Sequence, residues 1–210
     1  MLSVANVHFG YQFRKILSGV SFRVEPGETV QLVGPNGAGK TTLMAIIAGL
    51  IAENSGSVSF HADGEAHTDY REYCEYLPAE ANALFLKLDA LTNLSLWSRL
   101  RGREPSEATL VAELTRWGLG SPLVHRQFPV EKFSTGMKRR LALARVGLSG
   151  APLWLLDEPL YGLDKNGIAV FQAMLTTHLA ARGMVVIVSH DTAPLEPFVV
   201  RSVAIGSQSA

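Results

Sequence analysis

Gly34-Pro35-Asn36-Gly37-Ala38-Gly39-Lys40-Thr41-Thr42 decides the reading of this chain, because it satisfies Gly-x-x-x-x-Gly-Lys-[Ser/Thr] between a β-branched run and an apolar one. Upstream, Thr29-Val30-Gln31-Leu32-Val33 predicts an extended strand; downstream, residues 43–50 predict a helix buried on most sides. A strand entering and a helix leaving are the context that a phosphate-binding P-loop requires. Phosphate oxygens need several donors converging at close range, and Gly34, Gly37 and Gly39 let the backbone N–H groups curl around them. The helix starting near Lys40 adds its positive end, the Lys40 ammonium reaches toward the terminal phosphates, and the Thr41 hydroxyl is placed to ligate Mg2+. Nucleotide binding along Gly34, Pro35, Asn36, Gly37, Ala38, Gly39, Lys40, Thr41 and Thr42 is the expectation.

Composition narrows the partners. The 210 residues suffice for a full hydrophobic core, and 19 Lys and Arg against 19 Asp and Glu leave no basic footprint, so no nucleic acid is expected as a partner. A single cysteine, Cys74, excludes an intrachain disulfide and a clustered thiol metal site, which fits a reducing compartment. The start Met1-Leu2-Ser3-Val4-Ala5-Asn6-Val7-His8 alternates as a strand does, without a basic leader and apolar core, so no signal peptide is expected. The apolar run 43–52 stops at Glu53-Asn54-Ser55-Gly56, short of the roughly 20 residues that span a bilayer, and a soluble chain is expected.

Along the chain, strands are expected over 2–8, 20–24, 55–60 and 72–78, with a polar turn around Asp63-Gly64. Between about 91 and 150 the character turns helical: Leu110, Leu114 and Trp117 share one helix face, Ser106 is an N-cap, and Gly118 and Gly120 are stop signals. Pro152-Leu153-Trp154-Leu155-Leu156 and Met184-Val185-Val186-Ile187-Val188 are short apolar runs of buried-strand type, separated by a helix carrying Val170, Phe171, Met174, Leu175 and Leu179. This strand, helix, strand rhythm predicts a mostly parallel, helix-covered sheet.

The apolar run Leu153-Trp154-Leu155-Leu156 ends in Asp157-Glu158, as a Walker B element does, and its strand is expected beside the P-loop strand. Asp157 is read as a Mg2+ ligand, directly or through water, and Glu158 as the residue that orients and polarises the attacking water. Two acidic residues at a strand end also describe an ordinary solvated turn; the P-loop in the same chain favours the catalytic reading. His190, in Ser189-His190-Asp191, follows the next buried strand and reaches the same sheet edge, within range of a γ-phosphate. Tyr11, in Phe9-Gly10-Tyr11-Gln12-Phe13, sits where a fold-back would set its ring against an adenine, although a lone aromatic is more often core filler.

Phe133-Ser134-Thr135-Gly136-Met137, leading into Lys138-Arg139-Arg140-Leu141-Ala142-Leu143-Ala144-Arg145, resembles the signature motif of ATP-binding cassette ATPases. With the P-loop, Asp157-Glu158, Leu163-Asp164 and His190 in this order, the resemblance covers nearly the whole chain. It implies an α/β P-loop NTPase fold, a mostly parallel core sheet with an N-terminal antiparallel β subdomain and an inserted α-helical subdomain. Residues 1–210 then form one cassette, with 1–78 and 151–210 as nucleotide-binding core and about 79–150 as helical lobe. It also implies ATP and Mg2+ as cofactors, ATP hydrolysis, and a head-to-tail homodimer or paired cassette in which each signature faces the nucleotide on the other P-loop. By that resemblance Ser134 and Gly136 contact the γ-phosphate across the dimer, Asp164 couples the two sites, His190 senses the γ-phosphate and Tyr11 stacks on adenine. The implied partner is an integral membrane transporter subunit, with the chain peripheral on the cytoplasmic face of the cell membrane.

Three positions depart from the family pattern. Thr135 and Met137 replace a second Gly and a Gln of the signature, and a β-branched residue tolerates positive φ poorly. Tyr76-Leu77-Pro78 is followed by Ala79-Glu80 where the family carries a Mg2+-contacting Gln, so Glu80 is the nearby substitute as a metal ligand. Tyr161-Gly162 stands for the usual Ser-Ala before Leu163-Asp164. Leu91-Thr92-Asn93-Leu94, Ser98-Arg99-Leu100-Arg101-Gly102 and Gly183-Met184-Val185-Val186 are similar to the ATPase subunit of bacterial haem exporters for cytochrome c maturation, and also to small ATPases of multidrug or lipid exporters. A non-transport cassette on a scaffold is the other class; repair cassettes carry long coiled coils, and no sustained heptad run occurs here.

Overall fold

The computed structural model describes residues 1–12, 14–62, 65–67, 69–79, 83–122, 126, 128–199 and 201–206, so that Glu80 and the Asp63-Gly64 turn lie outside the described residues. The chain forms two compact units, one of Met1–Tyr76, Ala151–Glu158 and Thr176–Ala210, the other of Leu77–Gly150 and Pro159–Leu175. Residues 159–175, grouped with the core in the sequence reading, belong to the second unit, where a Cβ on Gly147 would lie 3.1 Å from Met174 Sδ.

The strands are β1 (Leu2–Tyr11), β2 (Arg14–Val24), β3 (Thr29–Val33), β4 (Ser55–Ala62), β5 (Glu65–His67), β6 (Cys74–Leu77), β7 (Leu153–Asp157), β8 (Met184–Val188) and β9 (Arg201–Ala204). An antiparallel sheet has the order β2-β1-β4-β5, and a second sheet the order β6-β7-β8-β3-β9, with β7, β8, β3 and β9 pairing in parallel. Both faces of β7 and β8 are buried, which is why these strands read as unbroken apolar runs rather than alternating ones. Helix α1 (Lys40–Ile47) buries Leu43, Met44, Ile46 and Ile47 in one cluster with Val30, Leu32, Leu153, Leu155 and Val186 of the parallel sheet and Leu2, Val4 and Phe60 of the antiparallel one.

One expectation is corrected. The Asp157 strand does not lie beside the P-loop strand: β8 occupies the slot between β7 and β3, pairing with both. The two halves of the site still meet because α1 packs against both β7 and β8, carrying its first turn over the intervening strand.

In the second unit, α2 (Ala90–Leu100), α3 (Glu107–Arg116) and α4 (Thr135–Leu148) pack on one another. Each begins at a side-chain N-cap: Asp89, Ser106 and Ser134 accept the backbone N–H of Thr92, Thr109 and Met137. Helix α5 (Lys165–Ala180) contributes residues 165–175 to the second unit and 176–180 to the first. No described helix is long and apolar enough to cross a membrane.

Candidate active site

The P-loop is shaped by what its last glycine permits. Gly39 has φ 98°, and a Cβ there would lie 2.8 Å from Ile16 Cγ2 and 2.9 Å from Leu17 Cδ2, so neither the conformation nor the space admits a side chain. No side chain caps the N-terminus of α1, which leaves its first N–H groups for an anion. Lys40 Nζ arches back over the loop and donates to the carbonyls of Gly34 (2.7 Å) and Pro35 (3.0 Å). From the next position Thr41 Oγ1 donates to Asp157 Oδ2 at 2.8 Å. Asp157 is buried, and a hydroxyl beside a buried carboxylate is the hard oxygen pair that Mg2+ takes, so these residues fit that ion. Burial, and secondly the charge of Asp157, push the Tyr76 phenol well above its ordinary range, keeping a neutral hydroxyl at the end of β6.

Glu158 closes β7 in the left-handed region, φ 50°, a conformation that non-glycine residues adopt where surrounding contacts over-determine it. Those contacts come from β8 and its exit. The Glu158 N–H donates to the Val188 carbonyl at 2.8 Å, and Glu158 Oε2 accepts the His190 N–H at 3.2 Å. Glu158 Oε1 is buried without a hydrogen-bond partner among the described residues and lies 3.7 Å from His190 Nε2. Gln31, in the middle of β3, donates from Nε2 to the Ser189 carbonyl at 3.3 Å. Tyr11 ends β1 at 56% exposure, with its ring perpendicular to that of Phe9 at 4.9 Å.

The second unit holds the signature. Ser134 is the N-cap of α4, and Thr135 enters the helix directly, without the positive φ that a glycine there would suggest. The glycine that matters is Gly136: a Cβ on it would lie 2.6 Å from the Gly162 carbonyl, so the Tyr161-Gly162 turn closes on the first turn of α4. One turn further, Arg140 donates to Asp164 Oδ2 at 2.7 Å, while Asp164 Oδ1 accepts the Gly167 N–H at 2.8 Å. The Gly167 N–H first, and the Arg140 guanidinium second, hold the Asp164 carboxyl below its usual range.

Residues 17–161, more than half of the chain, match the family model described as ABC transporter. The chain belongs to the ABC transporter family. It is 37% identical over 178 residues to the cytochrome c biogenesis ATP-binding export protein CcmA of Rhodopseudomonas palustris (strain HaA2), covering 85% of this chain and 86% of the relative. To the protein of the same name from Chelativorans sp. (strain BNC1) it is 40% identical over 181 residues, 86% of this chain and 87% of the relative. A solved ATP-binding subunit of an ABC transporter superposes with a TM-score of 0.85 at 30% identity, covering 97% of this chain and 85% of that one. A dimeric ATP-binding cassette bound to ADP and Pi superposes with a TM-score of 0.83 at 23% identity, covering 98% and 94%.

This cassette is therefore an ABC ATPase of α/β P-loop NTPase fold. Within its first unit, the structure joins Thr41 to Asp157 and Glu158 to His190; within its second, it joins the signature helix to the Asp164 turn. Sequence reasoning missed Gln31 and Arg140. The only signal for Gln31 was one amide inside an otherwise apolar strand; Arg140 carried none, since a charge in a helix reads as a solvated face.

Proposed function

We propose that this cassette binds MgATP on the P-loop, hydrolyses it, and by pairing head-to-tail with a second cassette drives export through a separate integral membrane subunit. Gly34, Pro35, Asn36, Gly37, Ala38, Gly39, Lys40, Thr41 and Thr42 hold the phosphates, and the exposed Tyr11 ring stacks on adenine. Thr41 and Asp157 hold Mg2+, which when bound offsets the charge of the phosphate oxygens. Glu158 is the base that orients the attacking water, His190 contacts the γ-phosphate, Ser134 and Gly136 contact it from the other cassette, and Asp164 couples the two sites. One observation supports this most: the Glu158 carboxylate is held against His190, with Oε2 on its N–H at 3.2 Å and Oε1 3.7 Å from its Nε2, at the end of the strand whose aspartate meets Thr41.

Glu80 is proposed as a further Mg2+ ligand, standing for the family's glutamine. Glu80→Ala should then raise the free Mg2+ needed for half-maximal turnover and Glu80→Gln should restore it; three superimposable curves would remove Glu80 from the metal site.

The names of its relatives support haem export for cytochrome c biogenesis as the exporter's task. In the source organism, replacing the chain by its Glu158→Gln variant should abolish covalent haem on c-type cytochromes while leaving non-covalent haem proteins unchanged. Undiminished covalent haem with the variant as sole copy would assign the cassette to another exporter.

A further inference from the structure

The peptide group between Ser189 and His190 is gripped at both ends. Its carbonyl accepts Gln31 Nε2 at 3.3 Å, and its N–H donates to Glu158 Oε2 at 3.2 Å. Because the peptide is planar and rigid, the two bonds are not independent: rotating the plane to break one misdirects the other. Gln31 is 5% exposed, on a strand otherwise made of Thr, Val and Leu and paired in parallel with β8 at Ile187, two residues before Ser189. A primary amide buried there is costly unless hydrogen-bonded, so the bond to Ser189 accounts for its presence.

We propose that Gln31 is a positioning residue for hydrolysis: by fixing the Ser189–His190 peptide plane it sets both the direction of the Glu158 carboxylate and the place of the His190 ring. This rests on the roles given above to Glu158 and His190. With Oε2 held by the peptide, the remaining oxygen, Oε1, lies 3.7 Å from His190 Nε2, and its orientation is inherited from the plane that Gln31 holds. Gln31 touches neither water nor phosphate in this scheme. Its loss should therefore lower the rate of the chemical step without weakening nucleotide binding, which depends on the P-loop.

The test is steady-state MgATP hydrolysis by the purified chain and by Gln31→Met, Gln31→Asn, Glu158→Gln and His190→Ala, with melting curves and the histidine ring signals in a carbon–proton NMR spectrum. Gln31→Met keeps the volume and loses the donor; Gln31→Asn keeps the amide but is too short to reach. Both should lower kcat roughly tenfold, the effect of removing one buried hydrogen bond, with KM within about twofold of the parent. Both should shift the ring signal of His190 and leave those of the other histidines in place. If Glu158→Gln and His190→Ala lose turnover while both Gln31 variants keep the parental kcat, the inference is overturned and the reading of the site stands. If Glu158→Gln and His190→Ala turn over like the parent, the reading of the site fails, and the inference with it. A fall in kcat accompanied by a lower melting temperature and movement of all the histidine signals makes Gln31 a structural residue and also overturns the inference.

Discussion

Gly136 and Arg140 lie one turn apart on α4 and meet the same turn of chain, Gly136 by having no side chain and Arg140 by its ion pair with Asp164. A methyl at 136 would have to displace the Gly162 carbonyl, so Gly136→Ala should destabilise the fold by about 1–3 kcal/mol in urea unfolding. An unchanged midpoint would show that this turn does not close on the helix in solution. His178 offers a second test. Its ring stacks on Trp154 with centroids 3.5 Å apart and planes 7° from parallel, and burial lowers its pKa to about 4 although the nearby Met184 and Pro152 carbonyls favour the protonated ring. The folded state thus resists a proton that the unfolded chain takes up near pH 6.5, so the stability held above that pH is lost as pH falls toward 4. Between about pH 7 and pH 5 the loss should be about 1–2 kcal/mol, discounted for partial exposure, and His178→Phe should flatten it. Equal pH dependence in parent and variant would contradict this placement of the ring. The meeting of Thr41 with Asp157, and of Glu158 with His190, was legible because strand ends and fixed spacings bring these residues to one sheet edge. Gln31 was not, since a single polar residue leaves the period of a strand unchanged.

The elements were legible where local chemistry dictates them. Ser106 is the expected N-cap of α3, and Ser106→Ala should cost about 1 kcal/mol, read as a lower urea midpoint at unchanged slope. Asn93 was not legible, because in a helical run it reads as one more exposed polar residue. It is instead fully buried, with Oδ1 accepting the Phe85 N–H at 2.8 Å and Nδ2 donating to the carbonyls of Phe85 (3.0 Å) and Asp89 (2.9 Å). That side chain replaces a stretch of backbone pairing for the chain entering α2. Thr135 likewise belongs to its element rather than to its motif: as the first residue of α4 it needs ordinary helical φ, which a β-branched residue adopts readily.

At the scale of the whole molecule, the order β6-β7-β8-β3-β9 was the least legible feature, because apolar periodicity marks each strand as buried without saying which neighbour covers its edge. The consequence for the site is that β8, and with it His190, is central rather than peripheral: Asp157 is reached over it and Glu158 is held by its exit. Neither unit alone carries both the P-loop and the signature, since Lys40 belongs to the first and Ser134 to the second. The ATPase proposed above has Glu158 as its base and a site completed by pairing. Sedimentation of Glu158→Gln with and without MgATP, beside its turnover, tests it most directly. Turnover should be lost by roughly two orders of magnitude or more with nucleotide still bound, and MgATP should convert monomer to dimer. Turnover at the parental rate, or a monomer under both conditions with the membrane subunit supplied, would contradict it.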